Sequence, residues 1–410
     1  TNALAALSSS QVAAMTTAQI AALQSWQIAS IDPSFVGAFT TAQIAALGTS
    51  AITGLTTAQI DVWSTAQIEV LSSTQVRYLT SAQFEVFGPD DIAAFSTADI
   101  ASISNKAIAG LSDEVVAGLS LSQIWALTKG TIAGFTASQV GALTNQQLAA
   151  LSTTQISGFG SLQIGALSAE DIAAFSTGQI AAISNRAIQG LSEETIAALS
   201  TGSVAGLLTD QVHALTSSQV ALLSTGQIKS LTASQVQALA SDVAALSLDQ
   251  ITSVTATAIR GLSAEQVEQL SAAQVGVLTT AQVGALLSTQ VAALRAEDVA
   301  AMSTAQIASL GGNGVAGLDT DQIAAMTTGQ IGALSSKQLV ALSSSQIAAL
   351  GTDKIAVLAP AQISWLSVAA IEGLTSQQLG VLNTAQAEAL TNLQVGALQS
   401  EQIARLDADD

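Results

Sequence analysis

Residues 16–23 read Thr-Thr-Ala-Gln-Ile-Ala-Ala-Leu, and the pattern behind them, Ser/Thr, any, any, Gln, Ile/Val, any, Ala/Gly, Leu, recurs in both directions along the chain. Aligned on the closing Leu, it runs over residues 8–239 as 29 octads, passes through one seven-residue unit at 240–246, and resumes over 247–406 as 20 more. Residues 1–7 match the last seven positions of an octad and residues 407–410 the first four of another. The expectation is therefore a single continuous array over residues 1–410, not the two or three globular domains that the length would otherwise imply. Neither end carries the atypical unit that usually covers the core of a repeat protein. A stretch of a longer array, or a unit that stacks end to end, is expected.

The spacing of the apolar positions decides the conformation. Positions 5 and 8 would face opposite sides of a strand but share a face of a helix. One continuous helix is excluded, because eight residues make roughly 2.2 turns and the apolar stripe would drift by about 80° per repeat. Ser/Thr at position 1 with Gln at position 4 is a capping box, so each octad carries its own helix start. All three prolines, Pro33, Pro89 and Pro360, stand at position 2, the first helical residue, where proline is tolerated. Gly48, Gly88, Gly160, Gly311 and Gly351 stand at position 1, where glycine is expected to supply unusual backbone angles. Acidic pairs such as Asp90/Asp91, Asp113/Glu114, Glu193/Glu194 and Glu297/Asp298 lie where a helix dipole favours them. Six phenylalanines (Phe39, Phe87, Phe95, Phe135, Phe159, Phe175) occupy position 8, as expected of a core anchor. The reading is an all-α fold, an α-solenoid of helices about two turns long, one per octad, each too short to be stable alone. A β-solenoid is the alternative.

A longer period overlies the octad. Some units lose Gln at position 4 and gain Gly at position 7, and six of them put Ala or Gly at position 4: Ala51/Gly54, Ala107/Gly110, Ala187/Gly190, Ala258/Gly261, Gly314/Gly317 and Ala370/Gly373. Several are 56 residues, or seven octads, apart. One reading makes these residues contacts between turns or between chains, which Ala107→Gln and Ala187→Gln should disrupt. The other is duplication history, because residues 88–119 and 168–199 are closely similar. Both readings stay open here.

Composition narrows the function classes. Hydrophobic residues make up 49% but aromatics 3% and charged residues 10%, so aliphatic side chains build the core, with Ser, Thr and Gln expected to supply the polar surface. The mean hydropathy of +0.50 raises the question of a membrane protein. Polar residues interrupt every apolar run well short of the roughly 20 residues that a spanning helix needs, so no membrane insertion is expected. A net charge of −19 with only ten scattered basic residues argues against nucleic acid. His213 is the only histidine and cysteine is absent, which leaves transition-metal sites and nucleophilic triads without their parts. Asp407, Asp409 and Asp410 lack the glycine-bearing loop of a calcium site. No cofactor, metal or catalytic residue is expected, and the chain reads as a non-enzyme. Trp26 at position 3 and Trp125 at position 6 should be exposed contact aromatics, Trp63 at position 8 core, and Trp365 and Tyr78 at position 7 partly buried.

The run Leu-Thr-Thr-Ala-Gln-Ile-Ala-Ala-Leu resembles the repeat tracts of very large bacterial surface proteins, often labelled as adhesion or haem-utilisation proteins, and the resemblance covers the whole chain. It implies an exported protein, extracellular or at the cell surface, acting in attachment, sheath or biofilm structure. Haem use gains no support from the residues present, since no Met/His ligand set exists. The functional expectation is a structural stalk or filament whose partner is itself, end to end or side by side. The alternative is a solenoid presenting Ser/Thr arrays to ice or to surface polysaccharide.

Overall fold

The computed structural model describes residue 4 and residues 7–404; Asp407, Asp409 and Asp410 lie outside them. Among the described residues each of the 50 units forms one short helix, 47 α-helical and three 3₁₀, and there is no strand. The chain is all-α, and the β-solenoid alternative is excluded.

The octad folds as its capping box dictates. In residues 40–47, Thr40 has an extended backbone (φ −70°, ψ 158°), its hydroxyl accepts from the Gln43 amide, and the helix Thr41–Ala46 follows. The prolines head their helices, Pro33–Gly37, Pro89–Ala93 and Pro360–Trp365, and the four acidic pairs sit in first turns.

One expectation is sharpened and one needs correction. The α-helices hold four to six residues, between one and two turns. The reason is that position 8 leaves the helix together with position 1. Leu47 (φ −57°, ψ 125°) and Gly48 (φ −70°, ψ 159°) form a two-residue extended corner that sends the chain in a new direction. The glycines at position 1 are also not needed for their backbone angles. Gly48, Gly88, Gly160, Gly311 and Gly351 all have φ between −64° and −92°, which any residue adopts.

The only described non-glycine residue with a positive φ is Ala240, at 48°. It opens the seven-residue unit, where position 1 is missing. Leu239 stays in the right-handed helical region, so a corner normally shared by two extended residues falls on one.

Contacts divide the chain into two compact units, Thr1–Leu207 and Leu208–Asp410. Within each, a helix packs on the helix three octads later. In the first unit Ser25–Ile28 meets Thr49–Gly54 and Ala169–Ala173 meets Glu193–Ala198; in the second Ser288–Ala292 meets Gly312–Gly317 and Ala296–Ala301 meets Thr320–Ala325. Side-chain hydrogen bonds reach four octads, as described below. A turn of the solenoid therefore takes between three and four octads, and seven octads make two turns.

Positions 5 and 8 from successive octads pool into the core of each unit. Ile44, Ile52 and Ile60 are at most 1% exposed, and the six position-8 phenylalanines and Trp63 are all buried. Full burial of each such side chain is worth about 1.5–3 kcal/mol, which a one-turn helix obtains only from its neighbours. Phe84, Phe87 and Phe95 add an edge-to-face cluster with ring centroids 5.5–6.4 Å apart.

Candidate functional site

The position-4 glutamine organises each turn. Gln is not surface, as composition suggested, but largely buried: Gln59, Gln139, Gln147, Gln322 and Gln386 are at most 2% exposed. In residues 56–63 the Thr56 N–H donates to Gln59 Oε1 at 2.9 Å, the expected cap. The other end of the same amide turns away from its own octad. Gln59 Nε2 donates to the carbonyls of Ile28 at 2.7 Å and Ile31 at 2.8 Å, positions 5 and 8 of the octad four units earlier. Gln155 repeats this on Ile124 and Leu127 at 2.7 and 2.8 Å, and Gln346 on Val315 and Leu318 at 2.9 and 2.7 Å. Each amide thus caps the start of one helix and the end of another, satisfying carbonyls that a helix terminus leaves open. The position-1 hydroxyls are engaged as well: Ser152 accepts from the Gln155 amide at 3.3 Å and donates to Gln155 Oε1 at 2.9 Å. They serve the cap before they can serve any surface array.

A sign of this second role is present in the sequence. Gln fills position 4 in 33 of the 50 units and Glu in none, although either completes a capping box. Only the amide carries the donor that the distant carbonyls require. The replacements follow the same logic. Lys354 Nζ donates to the carbonyl of Ala324, and Thr131 Oγ1 donates to Ile103 at 3.1 Å. Where an acid appears it is the shorter Asp. Asp99 accepts from the Ser96 N–H at 3.0 Å and takes a proton donor, the Ser73 hydroxyl, at 2.8 Å on its other oxygen.

The fully buried Asp298 has a different solution. Arg295, at position 1 in place of Ser/Thr, holds it through Nε and Nη2, each at 2.8 Å, and Nη2 also donates to the Leu270 carbonyl at 3.2 Å. Acid and guanidinium together reproduce the acceptor and donor of the missing amide. The Arg295 pKa is raised first by the hydrogen bond to Asp298 and then by its charge. Hydrogen bonds to Ser34 lower the Asp32 pKa. The backbone N–H of Glu265 itself, followed by the Ser263 hydroxyl, lowers that of Glu265. In Asp32 and Glu265 the shift favours the ionised form.

The Gln-poor octads sit where turns approach most closely. A Cβ built on Gly54 would lie 2.3 Å from the Ser25 carbonyl oxygen; for Gly110 and Ser81 the distance is 1.9 Å, for Gly190 and Ser161 2.0 Å, and for Gly261 and Ala233 1.9 Å. Gly317 faces Ser288 at 2.6 Å and Gly373 faces Ser344 at 2.3 Å. In every case the neighbour is position 2 of the octad three units earlier. Ala51, Ala107, Ala187, Ala258, Gly314 and Ala370 are all buried beside these contacts. The six position-7 glycines thus face a neighbouring turn of their own unit.

Trp26 (53%) and Trp125 (64%) are exposed, but lie many turns apart in sequence and form no common patch; Trp125 Nε1 donates to the Ala150 carbonyl at 3.1 Å. Tyr78 (48%) and Trp365 (38%) are more exposed than their position suggested. His213 is exposed. Among the described residues no group of three His, Cys, Asp or Glu could hold a metal ion, and no helix is long and apolar enough to cross a membrane.

None of the curated proteins compared with the chain matches it. Four stretches, residues 1–25, 145–177, 291–328 and 323–360, match the family model described as the ALTTAQ repeat. With 50 successive one-helix units, the chain is an all-α repeat protein, and those four stretches are similar to the ALTTAQ repeat.

Proposed function

We propose that the protein is a non-catalytic structural element, an extracellular stalk or filament at a bacterial cell surface that associates with further copies of itself. The observation that carries this reading is the glutamine ladder. Most octads complete the helix four units before them through the position-4 Gln, so the same bonds recur along the array and it can lengthen without a new interface being designed. Stability in such a solenoid accumulates from neighbour contacts. The extracellular setting rests on the resemblance to bacterial surface tracts.

The test is electron microscopy of the native assembly together with a length variant. Deleting residues 64–119, seven octads or two turns, should leave folded particles of unchanged width that are shorter by two turns. Compact monomers alone, or a deletion variant that fails to fold, would overturn the reading.

A further inference from the structure

In a chain with 29 acidic and ten basic residues, a trough lined by cations and by no carboxylate stands out. One occurs in the second unit. A groove of about 710 Å³ crosses successive turns between Arg260 and Lys337, and Ser288, Thr289 and Asn313 line it with polar groups. A further cleft of about 460 Å³ shares Ser288, Thr289 and Asn313 with it, so the trough is longer than one cavity. Both cations are exposed, and among the described residues neither has an ion-pair partner.

The trough exists because the octad 311–318, Gly-Gly-Asn-Gly-Val-Ala-Gly-Leu, lacks the side chains that fill this place elsewhere. The fold does not demand glycine throughout. Gly311 has φ −64°, and a Cβ on it would meet nothing within 4 Å. Its missing side chain leaves open space without relieving any clash. The same arrangement recurs in the first unit on a smaller scale. There a groove of about 380 Å³ is lined by Arg77, Asn105, Gly130 and Thr131, at the octad positions that Arg260, Ser288, Asn313 and Gly314 hold in the second.

We propose that the trough binds an extended, sparsely carboxylated polysaccharide. Arg260 and Lys337 each take one carboxylate, while Asn313, Ser288 and Thr289 exchange hydrogen bonds with the sugar hydroxyls between them. The inference is independent of the filament reading. Two cations set apart suit a polymer with carboxylates at intervals. They do not suit the phosphate density of a nucleic acid, which a protein of net charge −19 repels.

The test is fluorescence anisotropy of the full chain with a labelled oligosaccharide of alternating uronate and N-acetylhexosamine. Arg260→Gln and Lys337→Gln should each weaken binding by about tenfold or more, since a charge-assisted contact is lost. Asn313→Asp should do the same by placing a carboxylate in the trough with both cations intact. Lys229→Gln, which removes an exposed cation elsewhere, should change nothing. Circular dichroism of the variants should match the parent chain. The proposal fails if the oligosaccharide does not bind, or if the trough variants bind it as the parent does. It also fails if neutral dextran, polyglutamate or duplex DNA competes as well as the labelled ligand.

Discussion

Replacing Gln147 with glutamate (Q147E) keeps the side chain's shape and its cap, and changes one thing, the donor. Gln147 is 2% exposed; its Nε2 donates to the carbonyls of Val116, Ala117 and Leu119 at 3.0, 3.1 and 2.8 Å, while its Oε1 accepts from the Thr144 N–H at 2.8 Å. In the ionised variant a carboxylate oxygen faces three carbonyl oxygens. An uncompensated buried charge costs about 3–5 kcal/mol. Protonated, the same carboxyl can donate to one of the three, so most of that cost disappears. The folded-state pKa of the introduced carboxyl must then lie above the ordinary glutamate value of about 4.3, and a difference of about 3 kcal/mol between the two forms corresponds to roughly two units. For an acid whose folded pKa is raised, stability is present at low pH and is lost as pH rises, here between about pH 4 and 7.

Because a repeat array does not unfold as one two-state unit, the measurement is local. Hydrogen exchange by mass spectrometry on peptides covering residues 112–151, corrected for intrinsic rates, should show protection close to the parent chain at low pH. Above neutrality protection should fall on the order of a hundredfold, since about 1.4 kcal/mol is a factor of ten. Q147A should lose about 1–3 kcal/mol at either pH, the cost of unsatisfied buried groups. Equal protection in Q147E and the parent at high pH would refute the donor role. So would a loss in Q147E that does not depend on pH.

Gly110→Ala should destabilise its turn by about 1–3 kcal/mol through overpacking, because the new Cβ would lie 1.9 Å from a carbonyl oxygen. Gly118→Ala, with its nearest neighbour at 4.0 Å, should instead stabilise by about 0.4–1 kcal/mol; local exchange protection distinguishes the two. Arg295→Ser should lower local exchange protection by stranding the buried Asp298, and adding Asp298→Gln should restore protection near that of neighbouring octads. A non-additive double-mutant cycle is the readout. Ala240→Gly should stabilise the seven-residue unit by about 1 kcal/mol, because glycine adopts φ 48° without the strain of a Cβ, with slower exchange over residues 239–246 as the check.

The parts of this fold that could be read from the sequence are those determined within four residues. Ser/Thr at position 1, Gln at position 4 and proline only at position 2 define a helix start locally, and the shared face of positions 5 and 8 defines the core. What escaped depends on the turn. Gln59 finds Ile28 and Ile31 only because two extended residues per octad set a turn of three to four octads, and the capping box carries no trace of that number. The same corners shorten the helices, which a count of eight residues per repeat cannot reveal. Glycine at position 1 reads locally as a backbone requirement, whereas at Gly311 its effect is open space. The Ala/Gly pairs were visible as a period, but not the Ser25 or Ser81 backbone they face.

Between turns of the described residues, the position-4 glutamine amides given above donate one way along the chain, toward lower residue numbers. A plane passed between two turns that these bonds join therefore separates unlike faces. The side toward lower numbers is left with open carbonyls, and the side toward higher numbers with unmated amide donors. Two such arrays can be spliced head to tail with every bond reproduced. A twofold joint through the same faces would set carbonyl against carbonyl, or donor against donor. An assembly that grew through these faces would be directional, with all its subunits pointing the same way and its two tips chemically distinct.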